Sequence, residues 1–85
     1  MANNPGAKKR IRQNAVRRLR NRYRISTART YIKRLKSTTE KSEAEALLPK
    51  TYSLVDRCVK RNLWHEHRAA RIKRGLAKHV NSLGA

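Results

Sequence analysis

The sequence predicts an all-α protein: a three-helix antiparallel bundle with an extended, basic first helix that projects from the bundle. Between Gly6 and Pro49 there is neither glycine nor proline, and this stretch is rich in Arg, Lys, Ala and Leu, which favour helix. The Asn-Gly and Asp-Gly pairs that close β-hairpins are absent. The chain has 85 residues, which is enough for one small domain.

We expect a single three-helix domain over residues 7–85, preceded by a flexible N-terminal arm. The arm, residues 1–6, contains Pro5 and Gly6, which interrupt regular structure. The helices are expected to cover about residues 7–42, 49–62 and 66–82.

Two features conflict over where the second helix begins. Ser42 and Glu45 have the spacing of a capping box, which would start a helix there. Pro49 would then lie inside that helix and break it, because proline has no backbone N–H to donate. We therefore place a turn near residues 42–48, with Pro49 in the first turn of the second helix.

Each predicted helix has apolar residues at helical spacing, and these faces are expected to form the core. The residues are Ile25, Ala28, Ile32 and Leu35 in the first helix, Leu48, Tyr52, Val55, Cys58, Val59 and Leu63 in the second, and Ala69, Ile72, Leu76, Val80 and Leu83 in the third. Earlier in the first helix the apolar line is thin, and it consists of Ile11, Ala15, Leu19 and Tyr23.

The charge of the chain indicates a polyanionic partner. There are 23 Lys and Arg residues against 5 Asp and Glu, a formal net charge of +18, and a compact monomer with this charge repels itself. Residues 1–36 contain no acid, and the segment RRLRNRYR, residues 17–24, contains five arginines. A helix that is cationic on every side cannot lie flat on a protein core, so this half is expected to project. Arginine forms planar, bidentate contacts with phosphate, which favours nucleic acid over a membrane surface.

Other classes of function lack support in the sequence. No apolar run approaches the ~20 residues of a membrane span, and the N-terminus has no apolar signal region. There are no paired carboxylates, no phosphate-binding glycine loop and no nucleophile elbow, so no enzyme, cofactor or small-molecule substrate is predicted. His65, His67, His79 and Cys58 lack the spacing of a zinc site.

A chromosomal or nucleoid DNA-binding protein is the alternative interpretation. Asn14 and Arg22 have the spacing found in the basic region that precedes a leucine zipper. A zipper requires apolar residues every seven positions over three or four heptads. Ile32 satisfies this pattern, but Thr39 and Ala46 do not.

Five segments, taken in order, resemble the S20 family of bacterial small-subunit ribosomal proteins. They are AKKRIRQN at 7–14, RRLRN at 17–21, RTYIKRL at 29–35, VDRCVKRNLWH at 55–65 and RAARIKRGL at 68–76. The resemblance implies a structural constituent of the small ribosomal subunit that binds 16S ribosomal RNA directly and stabilises the packing of RNA helices during assembly. It also implies a cytoplasmic location on a bacterial or organellar ribosome, with few direct protein contacts.

The resemblance also implies which residues face RNA. These are Lys8, Lys9, Arg10, Gln13, Asn14, Arg17, Arg18, Asn21, Arg29, Lys33, His65, Ala69, Arg71 and Lys73. The unbroken cationic surface of the first helix adds Arg12, Arg20, Arg22 and Arg24, and the basic face of the third helix adds Arg68 and Arg74.

Three residues near the junction of the second and third helices, Asn62, Trp64 and His65, have individual expectations. Family members usually have glycine where this chain has Asn62, and asparagine can also adopt the left-handed conformation. His65 can contact nucleic acid or cap a helix. Trp64 can stack on a base or close the end of the bundle.

Overall fold

The computed structural model describes residues 4–84, and these contain three helices and no strand. The helices are α1 (Pro5–Ser37), α2 (Lys41–Lys60) and α3 (Glu66–Ser82). The connections, residues 38–40 and 61–65, are short, so consecutive helices run antiparallel. Contact is most extensive between α1 and α2 and least between α1 and α3. The predicted all-α three-helix bundle is therefore confirmed.

The first half of α1 projects from the bundle, as predicted. Every residue from 8 to 20 is exposed. The described chain measures 63 × 21 × 15 Å, and its radius of gyration is 17.5 Å. A compact domain of this length would have a radius of gyration of about 12 Å. The whole of α1 is about 50 Å long at 1.5 Å per residue. Its first half extends beyond the bundle and accounts for the larger radius of gyration.

α1 begins at Pro5, so the prediction that the flexible arm reaches residue 6 is wrong. The Oδ1 of Asn4 accepts a hydrogen bond from the backbone N–H of Gly6 at 2.8 Å and so caps the helix. Pro5 occupies the first helical position, where a missing N–H costs nothing and the fixed φ suits a helix. The rest of the predicted arm, residues 1–3, lies outside the described residues.

α1 ends at Ser37 rather than at residue 42. The hydroxyls of Ser37 and Thr38 both donate to the carbonyl of Arg34, at 3.0 and 2.7 Å. Such side-chain bonds compete with the helical pattern, and Thr38 is extended. The Nε2 of His79, near the end of α3, lies 3.0 Å from the carbonyl oxygen of Thr38. This contact ties α3 to the connection between α1 and α2.

α2 begins at Lys41, so the predicted start at residue 49 is wrong. Glu40 is the N-cap and makes no side-chain cap bond, while Ser42 lies inside the first turn. The capping box of Ser42 and Glu45, the alternative that the predicted turn at 42–48 replaced, does not form either, because Ser42 is not the N-cap. Pro49 lies within α2, on its exposed side, and the helix continues through it.

Burial explains why α2 tolerates Pro49. The proline deprives the carbonyl of Glu45 of its helical partner, a loss of roughly 3 kcal/mol in a helix interior. Glu45 and Pro49 are both exposed, so water can reach this carbonyl. Ala44 before the proline and Thr51 after it are fully buried, and their packing holds both parts of the helix in place.

α2 ends in a Schellman motif built on Asn62. The N–H of Asn62 donates to the carbonyl of Val59 at 2.9 Å, and the N–H of Leu63 donates to that of Cys58 at 2.8 Å. Asn62 has a φ of 59°, the left-handed conformation that the sequence predicts for the position usually held by glycine. The chain then reverses direction into α3.

Two clusters of buried side chains form the core, and both include α1. The cluster near the α2–α3 connection contains Ala28, Leu54, Val55, Cys58, Trp64 and Ala69. The cluster near the α1–α2 connection contains Leu35, Ala44, Leu76 and Val80. Trp64 is only 6% exposed and closes the end of the bundle, the second of its two interpretations.

Cys58 is a core residue, as predicted. Its side chain is fully buried, and its thiol donates to the carbonyl of Arg24 at 3.9 Å. Burial raises the pKa of the Cys58 thiol, and the guanidinium of Arg24 partly opposes this rise. The thiol is therefore neutral and serves packing.

Two leucines of α1 provide a matched test of this architecture. Leu35 is fully buried, whereas Leu19 is 64% exposed on the projecting half. We expect Leu35→Ala to lower the free energy of unfolding by roughly 2–5 kcal/mol because it leaves a cavity. Leu19→Ala should change it by less than about 0.5 kcal/mol. Urea denaturation followed by circular dichroism measures both, and equal losses would contradict the division of α1 into two halves.

The left-handed residue provides a second test. Asn62→Gly should leave stability unchanged or raise it slightly, because glycine adopts a φ of about 60° without steric conflict. Asn62→Val should lower the free energy of unfolding by about 1–2 kcal/mol, since a branched side chain is strained in this conformation. The same denaturation experiment applies. Equal stability of the two variants would show that the left-handed turn is not required.

Candidate nucleic-acid interface

The projecting half of α1 is a cationic surface exposed on all sides. The predicted RNA-facing residues that lie on it are Lys8, Lys9, Arg10, Arg12, Gln13, Asn14, Arg17, Arg18 and Arg20. Among the described residues the one ion pair is between Lys73 and Asp56, far along the chain from this segment. The cations of the projecting half therefore have no carboxylate partner and are available to phosphates.

A concave surface between α1 and α3, here named the α1–α3 groove, collects a second group of cations. Its volume is about 1000 Å³. The polar residues along it are Arg18, Asn21, Arg22, Ser26, Arg29, Thr30, Lys33 and Lys36 from α1, with Arg68 and Arg71 from α3. Ile25, Ile32, Ile72 and Trp64 supply its apolar lining, and no acid is present.

Helix periodicity explains why these cations share one surface. Arg22, Arg29 and Lys36 recur every seven residues, about two turns, so they follow one side of α1. This stripe lies beside the apolar face that contains Ala28 and Leu35, whose burial fixes the rotation of the helix. On α3 the burial of Ala69 likewise sets the rotation of its flanking arginines. The core thus determines that the two cationic stripes border the same groove.

Arg68 is oriented by an aromatic ring. Its Cζ lies 5.0 Å from the centroid of the Trp64 ring, which is a cation–π contact. Stacking holds the plane of a guanidinium while leaving its edge N–H groups free to donate. Arg68 can therefore bind a phosphate in the groove with part of its side chain already ordered.

Arg24 and Asn21 are joined to each other. The Nη1 of Arg24 donates to the Oδ1 of Asn21 at 3.0 Å, and both side chains are half-buried. Asn21 borders the α1–α3 groove, whereas Arg24 lies on another side of α1. The amide of Asn21 retains its N–H donors for a ligand.

His65 caps α3. Its Nδ1 accepts a hydrogen bond from the backbone N–H of His67 at 3.1 Å. The cap, one of its two interpretations from sequence, is present in the fold. A contact between His65 and nucleic acid stays a prediction, and the ring is exposed next to the groove-lining Trp64.

Lys73 and Ala69 lie away from the groove. Lys73 forms an ion pair with Asp56 of α2 and stands 5.4 Å from the centroid of the Tyr52 ring. The Tyr52 hydroxyl donates to the carbonyl of Lys73 at 3.0 Å, so this lysine connects α2 to α3. Ala69 is 4% exposed in the core, which leaves it little surface for RNA. Arg74 is exposed on α3 but does not border the groove.

The prediction of RNA-facing residues omitted several that border cavities. Lys36, Ser26 and Thr30 line the α1–α3 groove, and Lys36 could have been found by extending the seven-residue spacing beyond Arg29.

A smaller cavity lies between α1 and α2. It is lined by Tyr23, Arg24, Thr27, Tyr31, Lys50, Leu54 and Arg57. Lys50 and Arg57 lie on the predicted second helix, but sequence alone does not show that they face Tyr23 and Arg24 of α1.

Residues 4–84 contain neither a candidate metal site nor a candidate membrane span. No group of three or more His, Cys, Asp or Glu side chains could hold a metal ion. None of the helices in that part of the chain is long and apolar enough to cross a membrane.

The groove combines the contacts that a nucleic-acid backbone requires. Arginines and lysines on both walls can donate to phosphate oxygens. The isoleucines between them provide apolar surface for sugars. Arg18 belongs both to the groove and to the projecting half of α1, so the two cationic surfaces are continuous.

Comparisons with known proteins show the family to which the chain belongs. A sequence model of the family described as Ribosomal protein S20 matches residues 2–81. The protein named small ribosomal subunit protein bS20 of Parabacteroides distasonis is 51% identical, over 98% of this chain and 99% of its own. The proteins of the same name from Cytophaga hutchinsonii and Christiangramia forsetii are 47% and 48% identical, over 100% and 98% of this chain and all of their own lengths. The chain belongs to the ribosomal protein S20 family.

Proposed function

We propose that this chain is a structural constituent of the small ribosomal subunit that binds 16S ribosomal RNA directly. The observation that carries the proposal is the α1–α3 groove, where Arg18, Arg22, Arg29, Lys33, Arg68 and Arg71 converge without an acid among them. Membership of a ribosomal protein family makes the role structural rather than enzymatic. The relatives named above are bacterial, which supports a cytoplasmic bacterial ribosome.

The mechanism is electrostatic and geometric. RNA duplexes resist close approach because their phosphates repel one another, and unpaired cations placed between them reduce that repulsion. The projecting half of α1 is exposed on all sides, so it can contact more than one RNA segment at once. The deep major groove of A-form RNA is too narrow for side chains, so recognition uses backbone shape and 2′-hydroxyls. Specificity then comes from one three-dimensional arrangement of RNA that matches the groove and helix together.

The charge distribution also supports few direct protein contacts. A chain with a net charge of +18 repels other basic proteins, and its two cationic surfaces are suited to phosphate. The zipper expected of the DNA-binding alternative is absent, because α1 ends at Ser37, before the heptad positions Thr39 and Ala46.

Binding to folded 16S RNA tests the groove directly. Replacing Arg22, Arg29 and Arg71 by Gln should weaken binding by at least about 3 kcal/mol, around a hundredfold, because three charge-assisted contacts are lost. The control replaces Arg34, Lys60 and Arg61 by Gln, which removes the same charge from outside the groove. Filter binding measures both. Equal weakening by the two variants would show that the groove contributes only nonspecific electrostatic attraction to RNA.

The choice between RNA and DNA is tested by salt dependence. Affinity for folded small-subunit RNA should exceed affinity for random duplex DNA at the same salt, because shape supplies the specific part. Both affinities should fall steeply with salt, and for duplex DNA each neutralised phosphate contributes about 0.9 to the logarithmic slope. The measurement is a salt titration with each nucleic acid. Equal affinities at physiological salt would support the chromosomal alternative.

A further inference from the structure

A second cavity, on the side of α1 that faces α2, has the composition of a nucleotide site. This α1–α2 pocket has a volume of about 300 Å³. Arg24, Lys50 and Arg57 bring three cations to it, and Tyr23 and Tyr31 bring two aromatic rings. None of these side chains except Arg24 belongs to the surface predicted from sequence.

The cations of the pocket converge without a carboxylate. No acid lines it, and the single ion pair of residues 4–84 joins Lys73 to Asp56 instead. Three like charges around one small cavity repel one another, so an anion bound among them would be stabilised. Arg24 is partly ordered already, since its Nη1 donates to Asn21. The pocket therefore favours a phosphate group.

The tyrosines indicate what accompanies the phosphate. Tyr23 is 73% exposed, and such exposure is unusual for a large aromatic side chain. Tyr31 is half-buried, packs against the core and gives the pocket a fixed wall. Aromatic rings beside cations are the features with which proteins bind unpaired bases, through stacking on the ring and contact with the backbone phosphate.

The size of the pocket permits an unpaired nucleotide but excludes an RNA duplex. A cavity of about 150 Å³ accommodates benzene, so this pocket has room for one base. A double helix cannot enter it. An unpaired base that is turned out of its strand can enter, with its phosphate near Lys50 and Arg57.

We propose that the α1–α2 pocket binds one unpaired RNA nucleotide, with the base stacked on Tyr23 and the phosphate held by Arg24, Lys50 and Arg57. This inference rests on the proposed function, because it takes RNA as the ligand. It adds a second RNA segment on the opposite side of α1 from the α1–α3 groove, and the Arg24–Asn21 hydrogen bond joins the two sides.

The test uses the full chain with two probes, a short single-stranded oligoadenylate and a blunt RNA duplex. Tyr23→Leu should weaken oligoadenylate binding by about fivefold to 150-fold, the range that corresponds to loss of one stacked base. Tyr23→Phe keeps the ring and should bind as the unaltered chain does. Neither variant should change duplex binding. Oligoadenylate should also shift the NMR signals of the Tyr23 ring.

A charge-matched pair tests the phosphate contacts. Lys50→Gln with Arg57→Gln should weaken oligoadenylate binding more than Lys60→Gln with Arg61→Gln, which removes the same charge from the C-terminal end of α2 and its C-cap, outside the pocket. Equal effects of the two pairs, or unchanged binding by Tyr23→Leu, would overturn the proposal. Equal weakening of duplex binding by Tyr23→Leu would also overturn it, because a duplex cannot present a base.

The outcome is separable from that of the proposed function. The groove variant with Arg22, Arg29 and Arg71 replaced should lose 16S affinity yet keep the oligoadenylate shift of Tyr23. If the unaltered chain does not bind 16S RNA, the proposed function fails, and if the groove variant keeps its 16S affinity, the groove is not the binding surface. Neither result affects the oligoadenylate test of the pocket. If Trp64 emission responds to oligoadenylate and the Tyr23 signals do not, the nucleotide occupies the groove and the pocket proposal is wrong.

Discussion

The packing of one half of α1 is the constraint on which the rest of the structure depends. Ala28 and Leu35 are fully buried, each in a different core cluster, so α1 is held at two levels by α2 and α3. This packing at two levels fixes both the direction and the rotation of α1. The direction sends residues 8–20 away from the bundle, and the rotation sets Arg22 and Arg29 along the α1–α3 groove. An interface made largely of unsupported helix is thus positioned by a small core at its other end.

The fold class and much of the core could be predicted because helix periodicity is a local property. Ile25, Ala28, Ile32 and Leu35 recur at helical spacing, and all lie in or against the core. The conformation of Asn62 could be predicted because the family resemblance implies glycine at this position, and asparagine also adopts a positive φ. The start of α2 could not be predicted, since the local rule for Pro49 was outweighed by tertiary burial of Ala44 and Thr51, which the sequence does not display.

The candidate site was predictable in residue type but not in arrangement. Dense arginine in a segment without acids indicates phosphate contact whatever the fold. Whether Arg71 of α3 shares a groove with Arg29 of α1 depends on how the two helices face each other. For the same reason, the position of Lys73 could not be read from the sequence. In the sequence it is one more cation of the third helix, but in the fold it forms an ion pair with Asp56 of α2. The same reason applies to Lys50 and Arg57, which acquire significance only once α2 is placed beside Tyr23.

The few acids are placed so that the first turns of α2 and α3 carry a favourable negative charge, whereas the first turn of α1 does not. Glu43 lies in the first turn of α2 and Glu66 in that of α3, where negative charge favours the positive end of the helix dipole. The first turn of α1 has no acid and carries Lys8, which opposes the dipole. Like charges four residues apart, such as Arg18 and Arg22, destabilise the same helix further. Phosphates beside this segment would offset both repulsions, so we expect RNA binding to stabilise the first half of α1.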